Sequence, residues 1–408
     1  MDRRKFLAGM PAATTAGLLA GSLVTAALPG IAHAQSSGQG ALANVISYGA
    51  VGDGVADDTS AFVNALSAVS SGGAVIVPPG KYRITSHLSV SVAASKSIAI
   101  LGYGIDISTI YFPTGSGLSI SIGDQFCSIR IRDLSLTTGR AGPGDIALTV
   151  NQSARCNTNP ALNPGSDISN VSVRGDDGYG RTFYWGTGIQ MTDVSNVNFI
   201  GLGYFGTGMS GNGVVVLGVD SFAPCNGSTA FGVVYNFVGC TFESFANGIV
   251  YGTDVQGISV MSCNFTQGGV GIACPSGGKN LDQLSVMSSQ FGELANAILL
   301  NAKLNCTMVS ANLFIVGGGQ NGIVLNSDSS TINGNVFAGT GPSNNNGVYV
   351  SSSIQAVITG NSFSDLTTGV ALISGVSGVN VQSNSYRSVA TPVFNGSAGP
   401  NQIGGGSA

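Results

Sequence analysis

Val260-Met-Ser-Cys-Asn-Phe265, Val286-Met-Ser-Ser-Gln-Phe291, Val309-Ser-Ala-Asn-Leu-Phe314, Ile332-Asn-Gly-Asn-Val-Phe337 and Ile358-Thr-Gly-Asn-Ser-Phe363 are variants of one six-residue pattern. Phe237-Val-Gly-Cys-Thr-Phe242 precedes them and Val381-Gln-Ser-Asn-Ser-Tyr386 follows. From Phe242 to Tyr386 the aromatic recurs at intervals of 23, 26, 23, 23, 26 and 23 residues. Three earlier segments, Ile131–Leu136, Ile168–Val173 and Val194–Phe199, bring the count to ten copies. A second short apolar element follows each aromatic, as in Gly248-Ile-Val, Gly271-Ile-Ala, Ala297-Ile-Leu and Gly322-Ile-Val. Strands of three to six residues separated by Gly, Asn and Ser, at a fixed period of about 20–30 residues, define a parallel β-solenoid with one coil per repeat. No apolar period of 3.6 residues runs long enough to make these segments helical.

Stacked coils lie about 4.8 Å apart, so equivalent residues pile on one another. The pattern predicts a buried aromatic column of Phe199, Phe242, Phe265, Phe291, Phe314, Phe337 and Phe363. Two residues earlier, on the same face, it predicts a ladder of Cys240, Cys263, Ser289, Asn312, Asn335, Asn361 and Asn384. The four asparagines would be joined by side-chain amide hydrogen bonds, a structural role. Cys240 and Cys263 are expected as two buried thiols, because parallel Cβ vectors suit a disulfide poorly. Ten coils predict a rod of roughly 50 Å.

The composition agrees. The chain has 408 residues with 62 glycines, 43% apolar and only 8% charged residues, the opposite of a disordered chain. Net charge is −4, and −6 beyond residue 34, which argues against nucleic acid as a partner. Only His33 and His87 are present, so multi-histidine zinc sites are excluded. His87, the single histidine past residue 34, is read as structural. Asp2-Arg3-Arg4-Lys5-Phe6-Leu7, an apolar run to about Leu28 and Ala32-His33-Ala34 read as an export signal of twin-arginine type. The mature chain would begin near Gln35, in the periplasm or outside the cell. No later run of about 20 apolar residues suggests a membrane anchor. Seven cysteines leave at least one thiol over, and Cys156 and Cys225 fall in long insertions where they could pair.

Asn44-Val-Ile-Ser-Tyr-Gly-Ala-Val-Gly-Asp-Gly-Val-Ala-Asp-Asp-Thr-Ser-Ala-Phe62 leads into Gly72-Gly-Ala-Val-Ile-Val-Pro-Pro-Gly-Lys-Tyr-Arg-Ile-Thr85. This stretch resembles the N-terminal signature of the pectate lyase superfamily, which includes rhamnogalacturonase- and epimerase-like β-helix proteins and phage tailspikes. The resemblance is specific over about 44–88 and extends to about 395 in architecture. By its residues, Asp57 or Asp58 caps a helix from about Thr59 to Val69. That helix would plug the open end of the solenoid. The resemblance makes Asp53, Asp57 and Asp58 structural.

It also implies a carbohydrate-active function without fixing the reaction. The Gly-His-Gly and Arg-Ile-Lys motifs of polygalacturonase-type hydrolases are absent, as is the Asp-Pro-His of mannuronan epimerases. Coil length points elsewhere. Arg174-Gly-Asp-Asp-Gly-Tyr-Gly-Arg-Thr-Phe-Tyr-Trp185 is an insertion holding two acids, two arginines, two tyrosines and the single tryptophan. Insertions in solenoids fall on loops, often on the binding face. Trp185 and Tyr179 are the candidate sugar-stacking residues, and Arg pairs with uronate carboxylates. Candidate catalytic residues are Arg174, Asp176, Asp177, Arg181, Tyr184 and Asp193, with Asp220 and Asp254 weaker. For β-elimination, Arg174, Arg181, Tyr179 and Tyr184 would act on a uronate, with Asp176 and Asp177 as ligands if Ca²⁺ is used. For hydrolysis, Asp176, Asp177 and Asp193 would supply the two carboxyls. Lys303 and Asp328 share a column and are read as a cross-coil salt bridge.

The expected architecture is all-β, a single right-handed parallel β-helix with an N-terminal helical cap. Its expected parts are 1–34 signal, 35–43 linker, 44–90 cap and first coil, 91–395 β-helix and 396–408 tail. The expected function is an exported enzyme cleaving a polysaccharide, with lyase placed ahead of hydrolase. A non-catalytic glycan-binding β-helix is the rival. A cleft joining Arg174, Asp177 and Trp185 would favour the enzyme.

Overall fold

The computed structural model describes residues 41–124, 126–152, 165–218, 232–278 and 281–404. The export signal, Cys156, Cys225 and Asp220 lie outside them. Among the described residues there are 34 strands, one 3-10 turn and one α-helix. The strands form a parallel solenoid of about 12 turns. At about 4.8 Å per turn it is about 55 Å long.

Each turn contributes to three parallel ladders. Ladder one starts at Ala41–Asn44, Gly73–Ile76 and Ile98–Leu101, and ends at Gln402–Ile403. Ladder two starts at Asp53–Asp57, Gly80–Arg83 and Ser108–Phe112, and ends at Ser385–Arg387. Ladder three starts at Leu88–Val92 and Leu118–Ile122, and ends at Thr391–Asn395. Inward residues alternate with outward ones, so Ile258 and Val260 are buried beside half-buried Ser259.

The aromatic column stands in ladder two. Phe242, Phe265, Phe291, Phe314, Phe337, Phe363 and Tyr386 stack with centroids 4.6–5.3 Å apart and ring planes within 10°. The following element of each coil leaves room for the rings. A Cβ on Gly248, Gly322 or Gly347 would fall within 2.5–2.8 Å of the facing ring. Phe199 is not in this column. It pairs with Phe237 in ladder one and stacks on it at 4.5 Å. Tyr204 occupies the ladder-two position, between Val173 and Phe242. The true copy is therefore Phe199-Ile-Gly-Leu-Gly-Tyr204, with an aromatic at both ends.

The asparagine ladder forms as expected. Asn312, Asn335 and Asn361 each donate Nδ2 to Oδ1 of the next asparagine at 2.9–3.0 Å. The same Oδ1 atoms accept backbone N–H groups, and Ser289 continues the row onto Asn312. Cys240 and Cys263 extend it as free, buried thiols. The neighbouring Cys263 and burial both push the Cys240 thiol up.

The α-helix α1 spans Thr59–Ala68 and packs Ala61, Phe62, Ala65 and Leu66 against the first strands. Asp57, not Asp58, accepts from the Thr59 backbone and hydroxyl. Asp58 instead accepts from the N–H groups of Val51 and Gly52, where Gly52 takes a left-handed φ of 71°. Lys303 and Asp328 form the expected salt bridge at 2.8 Å. His87 Nδ1 lies 2.5 Å from the Ser116 carbonyl.

Candidate functional site

The outer face of ladder two carries a row of polar and aromatic side chains in register: Arg83, Tyr111, Thr137, Arg174, Phe205 and Glu243. Tyr111 and Thr137 are direct partners, as are Thr137 and Arg174. The insertion at 176–183 leaves the end of this ladder beside Arg174 and folds over the row.

Cross-coil contacts fix it. Arg174 Nη2 lies 2.6 Å from Asp106 Oδ1, and the Tyr179 hydroxyl donates to Asp106 Oδ2 at 2.7 Å. The Arg174 guanidinium sits 4.8 Å from the Tyr179 ring centroid. Lys81 Nζ reaches Asp176 at 2.7 Å and lies over Tyr111 at 4.4 Å. Thr207 Oγ1 donates to the Arg181 carbonyl. Burial raises the Asp106 carboxyl, but hydrogen bonds from Arg174 and Tyr179 outweigh it and hold it below the usual carboxylate range. Burial and the Asp106 bond together raise Tyr179, so it stays a protonated O–H donor at neutral pH.

Tyr179 packs edge-on against Phe205 at 4.6 Å. The two rings wall a shallow groove of about 190 Å³ with Ile105, Ser172, Leu202 and Thr241. Past Tyr179, Gly180 takes a left-handed φ of 63°, and a Cβ there would stand 3.8 Å from Glu243 Oε1. Glu243 is the register partner of Phe205 and Arg181 stands two residues past Tyr179, and neither makes an ion pair among the described residues.

The expected residues divide accordingly. Arg174 and Tyr179 come together on Asp106, Asp176 is held by Lys81, and the Arg181 side chain packs back toward Gly178. Asp177 lies in the loop, but its carboxylate turns back to accept the N–H groups of Thr182 and Phe183 at 2.8–3.2 Å, which shapes the loop. Tyr184 starts the next strand in ladder three, where its N–H bonds the Arg140 carbonyl. Asp193 stands just past the far end of that strand, about 25–30 Å along it, and is 1% exposed. It takes no part in this groove. Trp185 corrects the expected stacking platform. It is 0% exposed, packs edge-on against Phe112 and donates Nε1–H to the Leu136 carbonyl. No cleft joins it to Arg174 and Asp177. Asp106, Lys81, Tyr111, Phe205 and Glu243 were not foreseen, and their only sequence signal is charge or aromaticity at an outward strand position or, for Asp106, in a turn between strands.

The fold and the groove define a right-handed parallel β-helix of the carbohydrate-active kind. Residues 42–273 match the model of the family described as rhamnogalacturonase A/epimerase, pectate lyase-like. The chain belongs to that family. A second model, described as periplasmic copper-binding protein (NosD), matches 183–400, and its range overlaps the first over 183–273. The mannuronan C5-epimerase AlgE6 of Azotobacter vinelandii is 31% identical over 152 residues, covering 34% of this chain and 17% of that protein. The chain thus spans about a sixth of that relative's length. The family 28 exopolygalacturonase of Yersinia enterocolitica shares the fold at a TM-score of 0.56 and 11% identity, over 90% of this chain and 78% of that one. The Dettilon tailspike protein does so at 0.63 and 12%, over 88% and 68%.

Neither metal that these readings raise fits the groove. Asp176 is already matched by the Lys81 ammonium and Asp177 by backbone N–H groups, a poor donor set for Ca²⁺. Among the described residues no group of three or more His, Cys, Asp or Glu could hold a metal ion. No helix among them is long and apolar enough to cross a membrane.

Proposed function

We propose that the chain is an exported enzyme that binds a uronate-containing polysaccharide along the outer face of ladder two and cleaves it by β-elimination. One observation carries this reading: Tyr179 and Phe205 wall a groove, and two charged residues beside these walls in the chain, Arg181 of the same loop and Glu243, the register partner of Phe205, make no ion pair among the described residues. A sugar ring stacks on the aromatic walls. Arg181 pairs with the uronate carboxylate, which makes the adjacent C–H more acidic and stabilises the charge that develops on proton loss. Glu243 takes that proton as base. The electron pair forms the new double bond as the glycosidic C–O bond breaks, and the leaving oxygen takes a proton from solvent. Lys81 and Asp106 hold the loop in place from earlier coils.

Hydrolysis needs two carboxyls facing one bond across about 5–9.5 Å. The Asp176–Asp177 pair offers no such arrangement, because the two side chains are engaged in different directions. The test incubates the chain with uronate-containing and neutral polysaccharides while following the absorbance of a new double bond and the release of reducing ends. Both signals are expected on a uronate polymer. Glu243→Gln should lower kcat at least about 100-fold, and Arg181→Ala should lower kcat as well as raise KM. Reducing ends without absorbance would replace this reading with hydrolysis. Neither signal, with retained binding, would leave a glycan-binding module.

A further inference from the structure

We propose that the outer face of ladder three is the interface of an antiparallel dimer, in which a second copy of this chain lays the same face on it. From Val215 to Phe394, eight coils in succession put an apolar side chain at one outward position of this ladder. Its neighbours in each strand point into the core, as Ile298 and Leu300 do around half-buried Leu299. Three residues earlier a second outward row holds Asn212, Asn247, Asn296, Asn321 and Asn346, whose side-chain amides bond along the row at 2.8–3.1 Å. No residue in the ladder-three register from Asn212 to Asn395 is charged. An apolar centre stripped of charge beside a polar margin is the composition of a protein–protein interface.

The sizes along the apolar row decide the partner. A hollow of about 320 Å³ opens over Ala273, walled by Val215, Val250, Pro275 and Leu299. Three coils further on, Tyr349 stands in the same row. A closed pair of identical faces needs a twofold axis lying between them. With the axis along the rods, each residue meets its own copy, so the two hollows coincide and the two tyrosines collide. With the axis along the strands, midway between Leu299 and Val324, the rods run antiparallel. Ala273 then faces Tyr349, Ala371 faces Val250 and Val215 faces Phe394. Both alanines meet a larger side chain, Tyr349 fills the hollow, and Phe394, 51% exposed in a single copy, is covered. Asn296 faces Asn321 across the same axis. The face is about 38 Å long and about 17 Å wide, roughly 650 Å² in plan. Its corrugated accessible area approaches the about 800 Å² that each partner gives to a standard interface. The polysaccharide groove lies on ladder two and stays open, so the two readings stand or fall separately.

Sedimentation velocity on the full chain across micromolar concentrations should give twice the monomer mass. Leu299→Lys places a charge beside the twofold axis, and Tyr349→Ser leaves the hollow empty. Each should weaken association at least about tenfold with an unchanged circular dichroism spectrum, because both side chains face outward. Ser364→Lys, on the outer face of ladder two, should leave association as it was. Orientation is read with a short bismaleimide in a Cys306→Ser background, which removes the exposed thiol, and the linked peptides are identified by mass spectrometry. Val215→Cys chains mixed with Phe394→Cys chains should link to each other, and neither should link to its own kind through these positions. A monomer at every concentration overturns the proposal. So does a dimer that both Leu299→Lys and Tyr349→Ser leave intact, and so does a link between two Val215→Cys chains, which would set the rods parallel.

Discussion

Each of Asn312, Asn335 and Asn361 completes its own amide by donating to two or three acceptors, and completes its neighbour's backbone by accepting from it. Asn335 is the clearest case. It donates to Val309 O and Asn361 Oδ1, and it accepts from both the N–H and the Nδ2 of Asn312. At 1% exposure, water cannot replace those partners. Asn335→Ala should therefore cost about 2–4 kcal/mol in a urea titration, because several buried groups lose their partners at once. Asn335→Ser should restore part of that, since Ser289 already serves in the same row. An unchanged midpoint would show the ladder to be decorative. Surface residues respond differently. Asp57, held by Thr59 and Thr85, sits at about 2, below its ordinary value of 3.8. The stability from those bonds is complete above the unfolded value and fades as pH falls toward about 2. It is small, because the carboxylate is nearly fully solvated.

At the scale of the element, one strand and the next make a matched pair: a ring projects from ladder two and a glycine from ladder three yields to it. A Cβ on Gly322 would stand 2.8 Å from the Phe337 ring and 2.6 Å from the Gly347 carbonyl. Gly322→Val is expected to cost about 1–3 kcal/mol by overpacking. Phe291→Ala is expected to cost about 3–5 kcal/mol by leaving a ring-sized gap between Phe265 and Phe314. Thermal melts of both variants would check this, and a loss confined to neither would sink the matched-pair account. The repeat was legible because stacking forces like residues into columns, so chemistry recurs at the coil period. Phe199 misled because the stretch 199–204 has aromatics at two strand positions, and the nearer one mimicked the column. The groove was half legible. The insertion announced itself by its charge, but exposure is not written in a residue's type, and Trp185 went inward. Asp106 and Lys81 come from coils 68 and 95 residues before their partners, a distance no local motif spans.

For the whole molecule, the consequence of one-dimensional stacking is that almost every contact joins a coil to the next. A groove on one ladder can then be carried by a few coils without disturbing the rest of the rod. Removing Val336–Asn361 would join Asn335 to Ser362, which already pairs with Val336, and so preserve the column and the ladder in phase. The shortened chain should stay folded and keep its activity on polysaccharide, as measured by circular dichroism and turnover. Collapse of either would mean that contacts beyond the nearest coil matter. The groove lies among the coils from Lys81 to Glu243, well before the excised segment. Length in such a molecule is a variable that genetic duplication or loss of a single repeat can tune, moving the C-terminal end outward or inward by one 4.8 Å step while the chemistry near the N-terminal end stays where it was.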